Sequence, residues 1–231
     1  MARNKLKHFV EMKGMERVFE PRRDEVFKGK GRWRAEIFGR EFGGQKYQMR
    51  THLILELACG RGDYTVALAE RFPEQNFVGI DVKGARMWHG ARAMLDRGLA
   101  NAAFLRIRVE YLLDYFGEGE VDEIWLTFPD PQPGKENKRL TAPRFLEMYR
   151  TILKPGGLFH LKHDDADFFE YSLATVPQHG FEMVHVVEDV YGGVGKNVLV
   201  VDLLLTAIQT TYEKRHLAMN KVIKYGCWVK T

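Results

Sequence analysis

Two neighbouring stretches, Leu53-Ile-Leu-Glu56-Leu-Ala-Cys-Gly60-Arg-Gly62-Asp-Tyr64 and Asn76-Phe-Val-Gly-Ile-Asp81, decide how this chain folds. Each opens on a short apolar run of strand length. The first run breaks at a glycine turn and passes into a helical pattern at 64–72; the second ends on an aspartate. Strand, glycine turn, helix and strand in succession form a crossover unit, which makes the two strands parallel. Outward from this unit the same alternation continues. Strands are expected at 53–57, 76–80, 103–107, 123–128, 158–162, 182–188 and 197–206, and helices at 64–72, 85–97, 111–116, 143–153 and 167–175. Residues 189–196, with Gly192, Gly193 and Gly195, are too few for a crossover, so the last two strands are expected to pair as an antiparallel hairpin. The reading is a seven-stranded, mostly parallel sheet covered on both faces, spanning 51–231 and preceded by a basic arm at 1–50.

Composition bounds the function. With 231 residues, 45% of them hydrophobic and 12% aromatic, the chain can bury a large core and is not a disordered tail. Its two cysteines, Cys59 and Cys227, rule out a disulfide framework and a four-cysteine zinc site. The basic start has no apolar run behind it. The longest apolar stretch, 198–208, is interrupted by Asp202 and is too short to span a bilayer, so a cytoplasmic protein without membrane contact is expected. The net charge of +4 is unevenly spread: residues 1–50 carry 14 Lys/Arg against 7 Asp/Glu, 207–231 carry 5 against 1, and the middle is acidic. An acidic body with two basic ends suits a small-molecule enzyme whose ends hold a polyanion; solvated basic tails are the plain alternative.

The glycine turn narrows the ligand. Gly60 and Gly62 let a ligand approach the backbone, and Asp81, at the end of the second strand, is placed to accept both ribose hydroxyls of an adenosine. A dinucleotide would want a third glycine. Glu56 beside the turn would repel a pyrophosphate but attract the ammonium of S-adenosylmethionine, and the charge favours that methyl donor.

At the end of the fourth strand, Phe128 runs into Pro129-Asp130-Pro131-Gln132-Pro133. Prolines on both sides hold Asp130 at the rim where ligands of open parallel sheets sit. An aspartate there can orient an incoming nucleophile or accept its proton; the alternative is an Asp-Pro turn without function. The following loop, with Lys135, Lys138 and Arg139, suits phosphate contacts, or is merely solvated. The fifth strand ends His163-Asp164-Asp165, pointing to the same cleft; as a metal site this cluster lacks ligands, and no metal is expected.

These segments together resemble the TrmB-type tRNA (guanine-N7-)-methyltransferases. The resemblance runs through Phe27-Lys-Gly-Lys30, the glycine turn, Asn76 to Asp81, Phe128-Pro-Asp-Pro131, Lys138-Arg-Leu-Thr141, Phe159 to Asp164, Phe169-Glu-Tyr-Ser-Leu173 and Thr210-Thr-Tyr-Glu213. It implies a Rossmann-like class I S-adenosylmethionine-dependent methyltransferase that acts on N7 of a guanine in tRNA (variable loop, position 46). It also implies donor-binding roles for Glu56, Gly60, Gly62 and Asp81, with Glu110 near the adenine. Asp130 would be catalytic and touch the donor, and Asp164, Thr210 and Glu213 would bind guanosine. Lys135, Lys138 and Arg139 are expected to be the substrate-contacting cations of the shortened loop. The chain departs from the family at Gln132, where Trp is usual, and at His163, where Thr is usual. Two other readings stand beside this one: a methyltransferase of the same fold acting on another RNA or a small molecule, and a non-catalytic RNA-binding scaffold. Monomer and homodimer are both open.

Overall fold

The computed structural model describes residues 2–22, 24–44, 51–192 and 200–231. The strands are β1 (Val18–Phe19), β2 (His52–Leu57), β3 (Gln75–Ile80), β4 (Ala102–Leu105), β5 (Val121–Thr127), β6 (Leu153–His163), β7 (Phe181–Val187) and β8 (Lys224–Lys230). The helices are α1 (Ala2–Met12), α2 (Asp63–Arg71), α3 (Gly84–Asp96), α4 (Leu112–Tyr115), α5 (Pro143–Ile152), α6 (Ala166–Thr175), α7 (Val200–Ala207) and α8 (Thr211–Leu217).

The strands form one sheet in the order β1-β4-β3-β2-β5-β6-β8-β7, parallel from β1 to β6 and antiparallel at β8 and β7. The expected parallel sheet with an antiparallel C-terminal pair is present, with seven longer strands and the two-residue β1 at one edge. One element differs. The segment expected as the last strand is helical from Val200 to Ala207, and its start, 197–199, lies outside the described residues together with the glycines at 193 and 195. A short, mostly apolar segment such as Val200–Ala207, broken by Asp202, reads equally as strand or buried helix, and here the helix wins. The partner of β7 is instead Lys224–Lys230, a strand without a sequence signal because Gly226 and flanking cations dilute it.

Alternation along β2 sorts the core. Leu53, Leu55 and Leu57 face one side with Tyr149, Phe145 and Phe168 of α5 and α6; Ile54 faces the other with Tyr64, Val66, Met87 and Met94 of α2 and α3. Burying each leucine is worth about 2–3 kcal/mol. The arm is woven into this body: β1 pairs with β4, and Trp33 is fully buried, stacked on Phe116 at 5.1 Å. Helix α1 lies on α3, where His8 stacks on Trp88 at 4.0 Å and the Trp88 indole donates to Glu11 at 2.7 Å.

Chain order reverses between β2 and β5. These strands are neighbours, yet their crossovers leave in opposite directions, so a crevice opens beyond their carboxyl ends. The glycine turn and the Pro-Asp-Pro loop both emerge there.

Candidate active site

The glycine turn runs from β2 to α2 in left-handed backbone: φ is +55° at Ala58, +56° at Gly60 and +71° at Gly62. At Gly62 a side chain is excluded twice over, because a Cβ would also lie 2.5 Å from the Phe104 ring and 3.3 Å from Gly90 Cα. Cys59 N donates to Ile80 O at 3.0 Å, closing the turn on β3.

Two of the expected acids lie against this turn. Asp81 is nearly buried and accepts from Gly60 N at 2.9 Å through one oxygen and from Lys83 N at 2.7 Å through the other, so both oxygens are held in place. Glu56 points to the α2 face and is 3% exposed. It accepts from Thr65 N at 2.8 Å, Thr65 Oγ1 at 2.5 Å and Thr127 Oγ1 at 3.0 Å. Burial pushes its carboxyl up to about 7 against those hydrogen bonds, so little separates its charged and neutral forms near neutral pH. Glu110 is half-buried on the turn Val109–Tyr111 and pairs with Arg108 at 2.9 Å; burial works against that bond, but Arg108 holds the carboxyl below the usual range. Beside it a cleft of about 1050 Å³ opens between Val82, Ile107, Arg108 and Tyr111 on one wall and Phe27 and Lys28 of the arm on the other.

Across the crevice, Asp130 is exposed, and its Oδ1 accepts from Gln132 N at 3.1 Å. Asp164, at the end of β6, has a side chain 3% exposed. Its Oδ2 accepts from His216 Nδ1 at 2.6 Å and Lys221 Nζ at 2.7 Å, while Oδ1 is buried without a hydrogen-bond partner among the described residues. Burial alone would raise this carboxyl, but the hydrogen bonds from Lys221 and His216 hold it below the usual range. A buried acceptor with an empty position is costly unless a donor arrives.

The structure brings the two halves together. Asp63, first residue of α2, accepts from Thr211 N at 2.7 Å and so ties the donor turn to the start of α8. On α8, Tyr212 is 47% exposed, 4.0 Å from the His216 ring and 5.6 Å from the Phe128 ring. An open aromatic face beside Asp130 and Asp164 is a surface on which a base can stack.

Three expected substrate residues sit differently from a surface contact. Glu213 is fully buried: it forms an ion pair with Lys162 at 2.5 Å, accepts from Tyr191 OH at 2.9 Å and closes a capping box with Thr210. Thr210, 8% exposed, caps α8 through its hydroxyl. Arg139 is 7% exposed; its Nε donates to Pro131 O at 3.2 Å and its guanidinium lies 4.5 Å above the Tyr171 ring. Lys135 and Lys138 are exposed as expected.

Reading the sequence did not single out Thr65, Thr127, Lys162 or Tyr212. Lys162 carried a usable signal: a lysine in the apolar strand Leu158-Phe-His-Leu-Lys162 needs a buried anion. Among the described residues no cluster of three or more His, Cys, Asp or Glu could hold a metal ion, and no helix is long and apolar enough to cross a membrane.

Known proteins resemble this chain as a whole. The family model described as "Putative methyltransferase" matches residues 50–224. The tRNA (guanine-N(7)-)-methyltransferase of Porphyromonas gingivalis is 45% identical over 85% of this chain and 75% of its own. That of Christiangramia forsetii is 40% identical over 97% of this chain and 96% of its own. Among solved structures, the 16S rRNA methyltransferase KamB superposes with a TM-score of 0.65 over 94% of this chain and all of its own; at 14% identity it shares the fold. The glycine turn, the acids around it and these relatives lead to one statement: the chain belongs to the tRNA (guanine-N(7)-)-methyltransferase family.

Proposed function

We propose that this protein transfers a methyl group from S-adenosylmethionine to N7 of a guanine in the variable loop of tRNA. The observation that carries the reading is the meeting, at the β2/β5 crevice, of an anion-walled glycine turn with a second acidic pocket. That pocket combines exposed Asp130, the unpartnered Asp164 Oδ1 and the open Tyr212 ring. The residues present fit the donor. Asp81, fixed by two backbone amides, keeps lone pairs for the ribose hydroxyls; Glu56 sets a negative potential under the turn for the ammonium; and the cleft beyond Val82 and Ile107 takes the adenine, with Arg108 and Glu110 at its rim. S-adenosylmethionine, when bound, supplies a sulfonium methyl carbon to a nucleophile and leaves as a neutral thioether.

Guanine N7 offers an in-plane lone pair and has no proton to lose, so the protein needs to orient, not deprotonate. Asp130 and Asp164 Oδ1 are acceptors, and guanine's N1–H and amino group are donors on the edge away from N7. Holding that edge aims N7 at the donor. The methylated base becomes cationic, and the same acids stabilise the charge as it develops. Tyr212 stacks the base, and the exposed Lys135 and Lys138 meet the backbone phosphates. Thr210 and Glu213 act from behind, by shaping α8.

The test is transfer of a labelled methyl group to an unmodified tRNA transcript, followed by mapping of the labelled nucleotide. Label on N7 of a variable-loop guanine is expected. Transfer to another atom or another RNA, or none to any tRNA, overturns the reading.

A further inference from the structure

We propose that His163 and Arg139 are positioning residues for Asp130, each gripping the carbonyl on one side of it and holding a strained loop in the shape that presents its carboxylate. This rests on the function proposed above and adds to it the residues that fix the orienting group.

The loop is under strain. Phe128 and Gln132, which bracket it, have φ of +50° and +49°, in the left-handed region where non-glycine residues are disfavoured by about 1–3 kcal/mol each. Such residues persist only where their surroundings over-determine them. Pro129 and Pro131 remove two backbone donors, so the carbonyls are the available handles. Both are taken by buried side chains: Pro129 O accepts from His163 Nε2 at 2.8 Å, and Pro131 O accepts from Arg139 Nε at 3.2 Å. Phe128 N donates to Lys162 O at 2.9 Å and anchors the loop to β6.

The tautomer of His163 follows from its other neighbour. Nδ1 accepts from Asp165 N at 2.8 Å, so the proton of the neutral ring is on Nε2, facing Pro129. Burial disfavours the imidazolium and keeps the ring neutral despite the nearby acids. Phe168 packs 4.6 Å and Phe128 6.2 Å from the ring, and Asp165 itself caps α6 by accepting from Phe168 N. His163 therefore wedges the loop against a fixed helix end. Arg139 does the same from α6's other residues: its guanidinium lies 4.5 Å over Tyr171 and 5.9 Å over Phe168. Asp130, with one oxygen held by Gln132 N, is thus exposed yet located. A displacement of about 1 Å at such a group costs on the order of 100-fold in rate.

The variants are His163→Phe, which keeps a ring and removes the donor; His163→Gln, which keeps an N–H donor at the same reach; and Arg139→Met. Steady-state kinetics on unmodified tRNA, S-adenosylhomocysteine affinity, and amide hydrogen exchange across 126–139 are measured on each. H163F and R139M are expected to lower kcat about 10- to 100-fold, with KM for tRNA and S-adenosylhomocysteine affinity within about twofold of wild type. Exchange over 128–132 is expected to quicken, and H163Q to recover most of kcat. A folded H163F with wild-type kcat, or with unchanged exchange in the loop, overturns the proposal. If H163F does not fold, R139M decides by the same two readouts. Should the wild-type protein itself fail to methylate tRNA, the functional reading falls, while the exchange measurement still decides whether the brace exists.

Discussion

Glu56 is the residue whose chemistry is most exposed to test. Its carboxyl, raised to about 7 by burial, is partly protonated at neutral pH in the free protein, and a cationic ammonium beside it favours the ionised form. Donor binding is then linked to proton release. Affinity is expected to rise as pH increases from about 5 to 7 and to level off above, because only the ionised form attracts the cation. Calorimetry in buffers of different ionisation enthalpy checks this: binding near pH 6 should release a proton, and Glu56→Gln should abolish both the release and the pH dependence. An affinity flat with pH in the wild type contradicts the role. Asp130 gives a second test at this scale. Asp130→Ala is expected to lower kcat by about 100-fold or more while S-adenosylhomocysteine affinity, read by calorimetry, stays within about threefold. Normal transfer by this variant refutes the orienting role.

At the scale of elements, α8 depends on a fully buried ion pair. Lys162 lies on β6 with 0% side-chain exposure and contacts Glu213, Tyr64 OH and the Leu205 carbonyl. Removing one partner strands the other, so Glu213→Ala is expected to cost about 3–5 kcal/mol, measured by urea denaturation. A loss below about 1 kcal/mol would show that the pair does not hold the helix. The capping box makes Thr210→Ala milder, about 1 kcal/mol. This placement also explains what the sequence could and could not reveal. The strands β2, β3 and β5, the glycine turn and the acids at their ends are legible because local patterns specify them: apolar runs of strand length, glycines at positive φ, and charges just past a strand's end. Residues 200–207 were not, because Leu203 to Leu205 would suit a strand or a helix equally, and the choice was made by tertiary packing against Lys162 and β8's neighbours. Arg139 is expected at substrate as a cation of a polar loop and Glu213 from the family resemblance alone; the burial of each follows from a partner distant in sequence, Tyr171 for Arg139 and Lys162 for Glu213.

At the scale of the molecule, the basic ends are not free polycations. Arg34 of the arm pairs with Asp122, and Lys221 and Lys224 of the C-terminal end pair with Asp164 and Glu188, so part of the basic surplus at each end is neutralised by acids of the body. Lys28 and Lys30 remain exposed at the cleft beside Glu110, and Lys135 and Lys138 on the loop after Asp130. Binding to tRNA is expected to weaken at least about tenfold between 0.05 and 0.2 M salt as counterion release is suppressed, and the Lys135→Ala, Lys138→Ala double variant should have a shallower slope in filter binding. A salt-insensitive affinity removes the electrostatic contribution. The proposal for the donor is narrower than tRNA binding: one crevice, where the order of strands reverses, would hold the methyl donor on Asp81 and Glu56 and turn its reacting end toward Asp130. A structure of the protein with S-adenosylhomocysteine tests this most directly. Both ribose hydroxyls are expected on the Asp81 carboxylate, the ligand's ammonium above Glu56 and its sulfur facing the Asp130 loop. Ligand bound elsewhere, or bound here with Asp81 making no contact to the ribose, contradicts it.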